Sequence, residues 1–158
     1  MPIFNQHYID PGQKCHNPVA LAGAGPVLQV EVNLPQPLIN LLSSQNKLIP
    51  APNPGFALID TGASRTCIDS QVLSNLGISP IGVVTIGTAG GSTSCPLFLA
   101  KLSFPVINLV IDFGSVAGVN PQGQTIDKKL LVALIGRDVL LRCLFIYSGT
   151  GGFFTLAL

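Results

Sequence analysis

Three observations predict an all-β fold of short strands. First, 17 Gly and 13 Pro punctuate a chain of 158 residues and leave brief apolar runs between turns, as expected of many short strands joined by tight connections. Second, residues 26–34 alternate strictly, with Leu28, Val30, Val32 and Leu34 set against Gln29, Glu31 and Asn33. That period of two belongs to a strand with one buried face. Third, the chain is 47% hydrophobic and only 9% charged, too apolar for disorder and long enough for one domain with a sizeable core. So little charge for a surface implies that a partner covers part of it.

Residues 1–25 read as an irregular arm, with a short strand near Ile3-Phe4 and turn signals at Pro11-Gly12, Asn17-Pro18 and Ala22-Gly23-Ala24-Gly25. Flexible, processed, core-covering and subunit-contacting arms are all open readings. The strand 26–34 ends at Pro35 and Pro37. Residues 35–54 form a connection, apolar over 38–42, that closes with a stiff turn at Pro50, Pro52, Pro54 and Gly55. Residues 56–59 are a short buried strand, and 66–68 another strand piece. Residues 69–77 suit a short helix, capped by Asp69 or Ser70 and closed by Gly77. Residues 83–86 and 96–102 form a hairpin around the glycine-rich turn 87–93. A long apolar strand is expected over 104–113, a loop over 116–129, a strand over 130–135, and one or two turns of helix over 137–142. Residues 143–147 and 153–158 complete the chain as strands. An apolar strand such as 153–158 should not lie at an open edge.

Several function classes fall away. A net charge of +1 offers nothing to nucleic acid or an anionic membrane surface. No run approaches the ~18 apolar residues of a membrane span. The start Met-Pro-Ile-Phe-Asn-Gln-His lacks the basic head and apolar core of a secretory signal, so a cytoplasmic location is expected. Cys15, Cys67, Cys95 and Cys143 are widely and irregularly spaced. A zinc site built on Cys15-His16 is disfavoured because paired ligand spacing is missing. Buried free thiols at Cys67 and Cys143 are the preferred reading, with disulfides left open. The glycines at 87–91 are not a phosphate loop, since no Lys-Ser/Thr follows them and no helix begins there.

The chain is organised around Ala57-Leu58-Ile59-Asp60-Thr61-Gly62-Ala63-Ser64. An apolar strand delivers one carboxylate, which is costly to bury without partners. Gly62 permits a tight turn or close backbone approach, and Thr61 and Ser64 supply hydroxyls for local hydrogen bonds. The bland alternative is an Asx-turn on a surface loop. A second stretch, Leu134-Ile135-Gly136-Arg137-Asp138-Val139-Leu140-Leu141, comes later, with Gly136 76 residues after Asp60. Together the two resemble the active-site motifs of retropepsin-like aspartic proteases, apolar-apolar-Asp-Thr/Ser-Gly-Ala/Ser and apolar-apolar-Gly-Arg-Asp/Asn-Leu-Leu, and the likeness covers residues 26–158.

The resemblance implies a closed β-barrel with one or two short helices, and it makes residues 35–54 an insertion, because this connection is usually shorter in the family. Asp60, Thr61 and Gly62 would be catalytic, with Gly62 offering its carbonyl to substrate and Thr61 bracing the opposite loop. Ala63 and Ser64, the hairpin tip Thr88, Ala89, Gly90 and Gly91 acting as a flap, and Val139 would contact substrate. Gly136, Arg137 and Asp138 would support the site. Viral enzymes place an acid after Asp-Thr-Gly-Ala to hold the Arg; this chain has Ser64 there, so Arg137 must meet Asp138, Asp69 or a backbone carbonyl. Asp112-Phe113-Gly114-Ser115 echoes the triplet, but Phe113 lacks the bracing hydroxyl. With one credible triplet, the implied partner is a second copy in a homodimer whose chain ends interleave. The substrate is an extended polypeptide, and no metal or cofactor is implied. Alternatives are a catalytically silent dimerisation or peptide-binding domain and a structural β-domain. A glycosidase is disfavoured by the lack of Trp and only 2 Tyr.

Overall fold

Six strands hydrogen-bond in a closed ring, and their order places two loops of chemical interest side by side. The computed structural model describes residues 2–88, 90–121, 123–126 and 128–158. In chain order the elements are β1 Ile3–His7, α1 Pro18–Ala24, β2 Val27–Asn33, α2 Gln36–Ser44, β3 Asn53–Ile59, β4 Cys67–Asp69, α3 Ser70–Asn75, β5 Gly82–Thr88, β6 Gly91–Phe104, β7 Leu109–Val119, β8 Thr125–Ile126, β9 Lys129–Ile135, α4 Arg137–Leu140, β10 Leu144–Ser148 and β11 Phe153–Ala157. The ring runs β2-β3-β9-β4-β7-β6 and closes when Glu31, Val32 and Asn33 of β2 pair with Ser103, Leu102 and Lys101 of β6. Closure removes the open edges that a flat sheet of such apolar strands would expose.

The alternation in β2 faces inward as expected. Leu28, Val30, Val32 and Leu34 are at most 3% exposed. From the other strands, Ile68, Leu102, Val116, Val132 and Ile135 fill the same core. Each such side chain, taken from water, contributes ~1.5–3 kcal/mol. β6, at 14 residues, serves two partners. Its first half pairs with β5, from Gly82↔Leu97 to Thr88↔Gly91, and its second half pairs with β2. The register shifts between Phe98 and Ala100, where the neighbour changes, and a bulge there bends the strand out of the ring.

A separate three-stranded sheet, β1-β11-β10, adds Phe4, Phe154 and Leu156 to the same core. Phe154 stands between Phe4 and Phe145, with ring centroids 5.7 and 6.3 Å away. The apolar strand β11 is therefore central, flanked on both sides by its own chain, as its composition requires.

Several local expectations change. Asn17-Pro18 marks a helix start rather than a turn: Asn17 Oδ1 accepts the Ala20 N–H at 3.0 Å and Pro18 opens α1, the residue pair favoured at N-cap and first helical turn. Leu21 buries this helix against the core. Pro35 and Pro37 end β2 but also open α2, which lies in the segment 35–54 and rests Leu38, Ile39 and Leu42 on the core. The single strand expected over 104–113 is two. Pro105 interrupts it with a 3₁₀ turn, Pro105–Ile107, and Asn108 takes the left-handed conformation at φ 49°, so β6 and β7 form a hairpin. The loop expected over 116–129 is shorter, because β7 continues to Val119 and β8 pairs with β9. The glycine-rich turn tightens, since Thr88 already pairs with Gly91 and donates its hydroxyl to the Gly91 carbonyl at 2.8 Å. All four cysteines are free thiols. Cys67 and Cys95 are buried, Cys143 is half-buried and Cys15 is exposed, so the second buried thiol is Cys95 rather than Cys143.

Candidate active site

A parallel strand pair decides where the chemistry sits. β3 and β9 run in the same direction with Ile59 beside Ile135, so the residues after each strand emerge together at one end of the barrel. The Asp60 N–H donates to the Ile135 carbonyl at 3.0 Å, continuing the ladder one residue past the strands. The Asp60 carboxylate then turns back on its own loop. Its Oδ1 accepts the Gly62 N–H at 2.8 Å and the Ala63 N–H at 3.2 Å. A Cβ on residue 62 would sit 3.1 Å from that oxygen, so glycine lets the backbone close on the carboxylate. No hydrogen bond among the described residues reaches Oδ2.

The loop is fixed to its neighbours by three separate devices. Arg137 donates from Nη1 to the carbonyls of Thr61 at 2.8 Å and Gly62 at 3.1 Å, and its backbone N–H donates to the Ala63 carbonyl at 2.9 Å. Among the partners open to Arg137, backbone carbonyls are the ones it takes. The Gly62 carbonyl thus already accepts one hydrogen bond and keeps a second lone pair for other use.

Asp138 is the second device. Its two oxygens accept the Thr66 N–H at 3.0 and 2.9 Å, and Oδ1 also accepts the Thr66 hydroxyl at 2.8 Å and the Val139 N–H at 3.0 Å. Thr66 is fully buried and its hydroxyl in turn accepts the Gly136 N–H at 3.1 Å. A buried hydroxyl paired on both sides ties the segment after the Asp60 loop to the start of α4. Gly136 itself is the third device. A Cβ there would lie 2.4 Å from the Arg65 carbonyl carbon and 2.8 Å from the Thr66 nitrogen. The requirement is for space, since its φ is an ordinary −87°.

Beside this assembly lies a cleft of about 330 Å³, lined by Gly62, Ala63, Ser64, Arg65, Cys67 and Arg137 on one side and by Val84, Thr85, Ile86 and Gly87 of β5 on the other. Arg65 donates to Ser115 Oγ at 3.0 Å, which anchors the cleft to β7. The "Aspartyl protease" family model matches residues 53–139, from the first residue of β3 into α4 and over more than half the chain. The chain belongs to the aspartyl protease family.

Across solved structures, this aspartyl protease chain is similar to a retropepsin-like aspartic protease from Rickettsia conorii, with 14% sequence identity over 98% of this chain and 90% of that one and a TM-score of 0.47. No curated protein sequence matches it significantly.

Of the residues expected in the site of this family member, Asp60, Thr61, Gly62, Ala63, Ser64, Gly136, Arg137 and Asp138 come together. Thr88, Gly90 and Gly91 are exposed at the hairpin tip, and residues 84–87 of the same hairpin line the cleft. Ala89 lies outside the described residues. Val139 is buried and faces a different cleft of about 560 Å³, with Leu109, Phe113, Arg142 and Leu158 among its walls. Sequence reasoning does not bring Thr66, Arg65 or Cys67 to the site, and reads Cys67 only as a buried thiol. Thr66 does carry a signal in the sequence: it is a hydroxyl opening a buried apolar run, and the one buried polar residue among those described, so it needs a partner such as Asp138.

Burial pushes the Cys67 thiol from its ordinary 9.0 up to about 11, and Cys95, Asp138 and Asp60 push it the same way against Arg65. The folded chain therefore holds this proton more tightly than the unfolded chain does. Stability from this group is complete below about pH 9 and is lost as pH rises toward about 11. Thermal melts should show the wild type falling across that window more steeply than Cys67→Ser. Iodoacetamide at pH 8 should modify Cys15 quickly and Cys67 only on unfolding; fast labelling of Cys67 would contradict its buried, protonated state.

Proposed function

We propose that the chain is an aspartic endopeptidase that cuts extended polypeptides with a water held between two Asp60 carboxylates, one from each subunit of a symmetric dimer. The observation that carries this reading is the Asp60 loop itself. One carboxylate oxygen is held by two backbone N–H groups, and the loop is fastened by Arg137 through its carbonyls, in a chain of the aspartyl protease family. The described residues supply one such carboxylate. Asp112, the other candidate, is exposed on β7 and lies 3.8 Å from Lys101 across the β6–β7 ladder, which is the role of a surface ion pair.

Two carboxylates about 3 Å apart cannot both ionise and share one proton. The charged member takes a proton from the water as its oxygen attacks the peptide carbonyl carbon. The protonated member donates to the carbonyl oxygen. When the tetrahedral intermediate collapses, the C–N bond breaks and a proton passes to the leaving nitrogen. The titration belongs to the pair. An extended substrate would lie in the cleft between residues 62–65 and β5, hydrogen-bonded as a strand with side chains in alternate pockets. The β5–β6 hairpin would close over it as a flap.

The test is cleavage of a denatured protein from acid to neutral pH over a dilution series of the enzyme. Activity per chain should fall as the enzyme is diluted through the dimer dissociation range. Cleavage strictly proportional to enzyme for a chain that sediments as a monomer would sink the shared dyad, and no cleavage under any condition would sink the protease reading.

A further inference from the structure

We propose that the second subunit joins along the outer edge of β10, so that the dimer is held by a continuous sheet β1-β11-β10-β10-β11-β1 in which no strand is exchanged. The inference rests on the dimeric reading above and specifies the surface it uses.

The three-stranded sheet has two outer strands, and they differ. β1 packs beside the 3₁₀ turn Pro105–Ile107, whereas β10 pairs only with β11 among the described strands. Leu144, Ile146 and Tyr147 on β10 are 61%, 44% and 46% exposed, and Leu141, at the end of α4, is 73% exposed. β10 carries no charge and no proline, the usual means by which proteins block pairing at an open edge. In a chain with so little charge, an unblocked apolar edge needs a partner.

The site identifies that partner as a second copy. Asp60 needs a second carboxylate, and the edge is continuous with the Asp60 loop: Arg137, which holds the Thr61 and Gly62 carbonyls, begins the short helix that leads through Leu141 into β10. A two-fold axis through the edge would set the two β10 strands antiparallel, each covering the other's exposed residues.

Interleaved chain ends, implied by the family resemblance, would need β1 to leave its own subunit. Here β1 is committed to β11 over five residue pairs, from Ile3↔Ala157 to His7↔Phe153. The Thr155 hydroxyl donates to Asn5 Oδ1 at 2.7 Å, and the His7 ring stacks on Phe153 at 5.2 Å. The place an exchanged strand would take is already filled.

Sedimentation equilibrium of the full chain tests the edge. Leu144→Thr/Ile146→Thr keeps β-forming residues and removes the apolar surface; it should raise the dimer dissociation constant at least ~10-fold with unchanged far-UV circular dichroism. Val19→Lys, at an exposed apolar position on α1, should leave it unchanged. A wild-type dimer unaffected by the Thr substitutions would overturn the edge assignment and leave the dyad standing. A wild type that cleaves as a monomer would overturn both. The exchange question has its own readout. Asn5→Cys/Thr155→Cys in a Cys15→Ser background should oxidise within one chain and run as a single chain on a non-reducing gel. A covalent pair of chains would mean that the strands exchange.

Discussion

Asp60→Asn is expected to lower peptide-bond cleavage by at least ~10³-fold, the scale of losing a positioned acid–base group. Asn keeps the side-chain oxygen that accepts the Gly62 and Ala63 N–H groups, so the loop should hold its shape and the melting temperature should hardly move. What is lost is the shared proton, because an amide neither takes nor gives one at these pH values. The substitution also separates a shared dyad from a single catalytic Asp. Mixed at a nine-fold excess with wild type, the Asn chain should capture most wild-type chains in mixed dimers and cut activity per wild-type chain to about a tenth, if subunits exchange freely. Activity unchanged by the excess, measured after time for exchange, would show that each chain works alone.

Asp138→Ala is expected to be the most damaging side-chain truncation for stability near the site. It deletes the acceptor of the Thr66 N–H and hydroxyl, and Thr66 has no access to water. Leaving those donors unpaired should cost ~2–5 kcal/mol. For a chain of this size that is a fall in melting temperature of order 10 °C. Asp138→Asn should fall between, because one oxygen still accepts while the amide nitrogen presents a donor to the Thr66 N–H. Thr66→Ala removes the hydroxyl from the same network, so a double-mutant cycle with Asp138→Ala should give a coupling of ~1–3 kcal/mol. Additive losses would show that the Asp138–Thr66 contact is not a unit. Activity should drop with stability in these variants, since the same contacts fasten the loop carrying Asp60.

Much of the site is legible in the sequence because its residues are close together and chemically unusual where they stand. An Asp ending an apolar strand, with Gly two residues later, has few structural uses. Gly136 is visible as part of a motif, though the reason for it, the Arg65–Thr66 backbone packed where a Cβ would be, is not. The helices α1 and α2 escape a sequence reading because Asn-Pro and Pro-x-Pro signal both a turn and a helix start, and only the packing of the downstream residues decides between the two. Burial of Leu21, 0% exposed, settles the first. Pro105 signals the break in the strand over 104–113, but an unbroken apolar composition masks it.

The sequence by itself determined the all-β character, the strand that delivers Asp60, the glycine behind it and the apolar terminal strand that could not be an edge. Those properties are set by period, composition and nearest neighbours, all of which are local. Only the tertiary structure decided that Arg137 holds backbone carbonyls, that Asp138 holds Thr66 across 72 positions, that residues 84–87 wall the cleft, and that β1 lies on its own chain's β11. Each of these depends on which strands the barrel brings side by side. Many pairings would satisfy the same apolar pattern, and the one adopted is chosen by packing and hydrogen bonding across the whole ring.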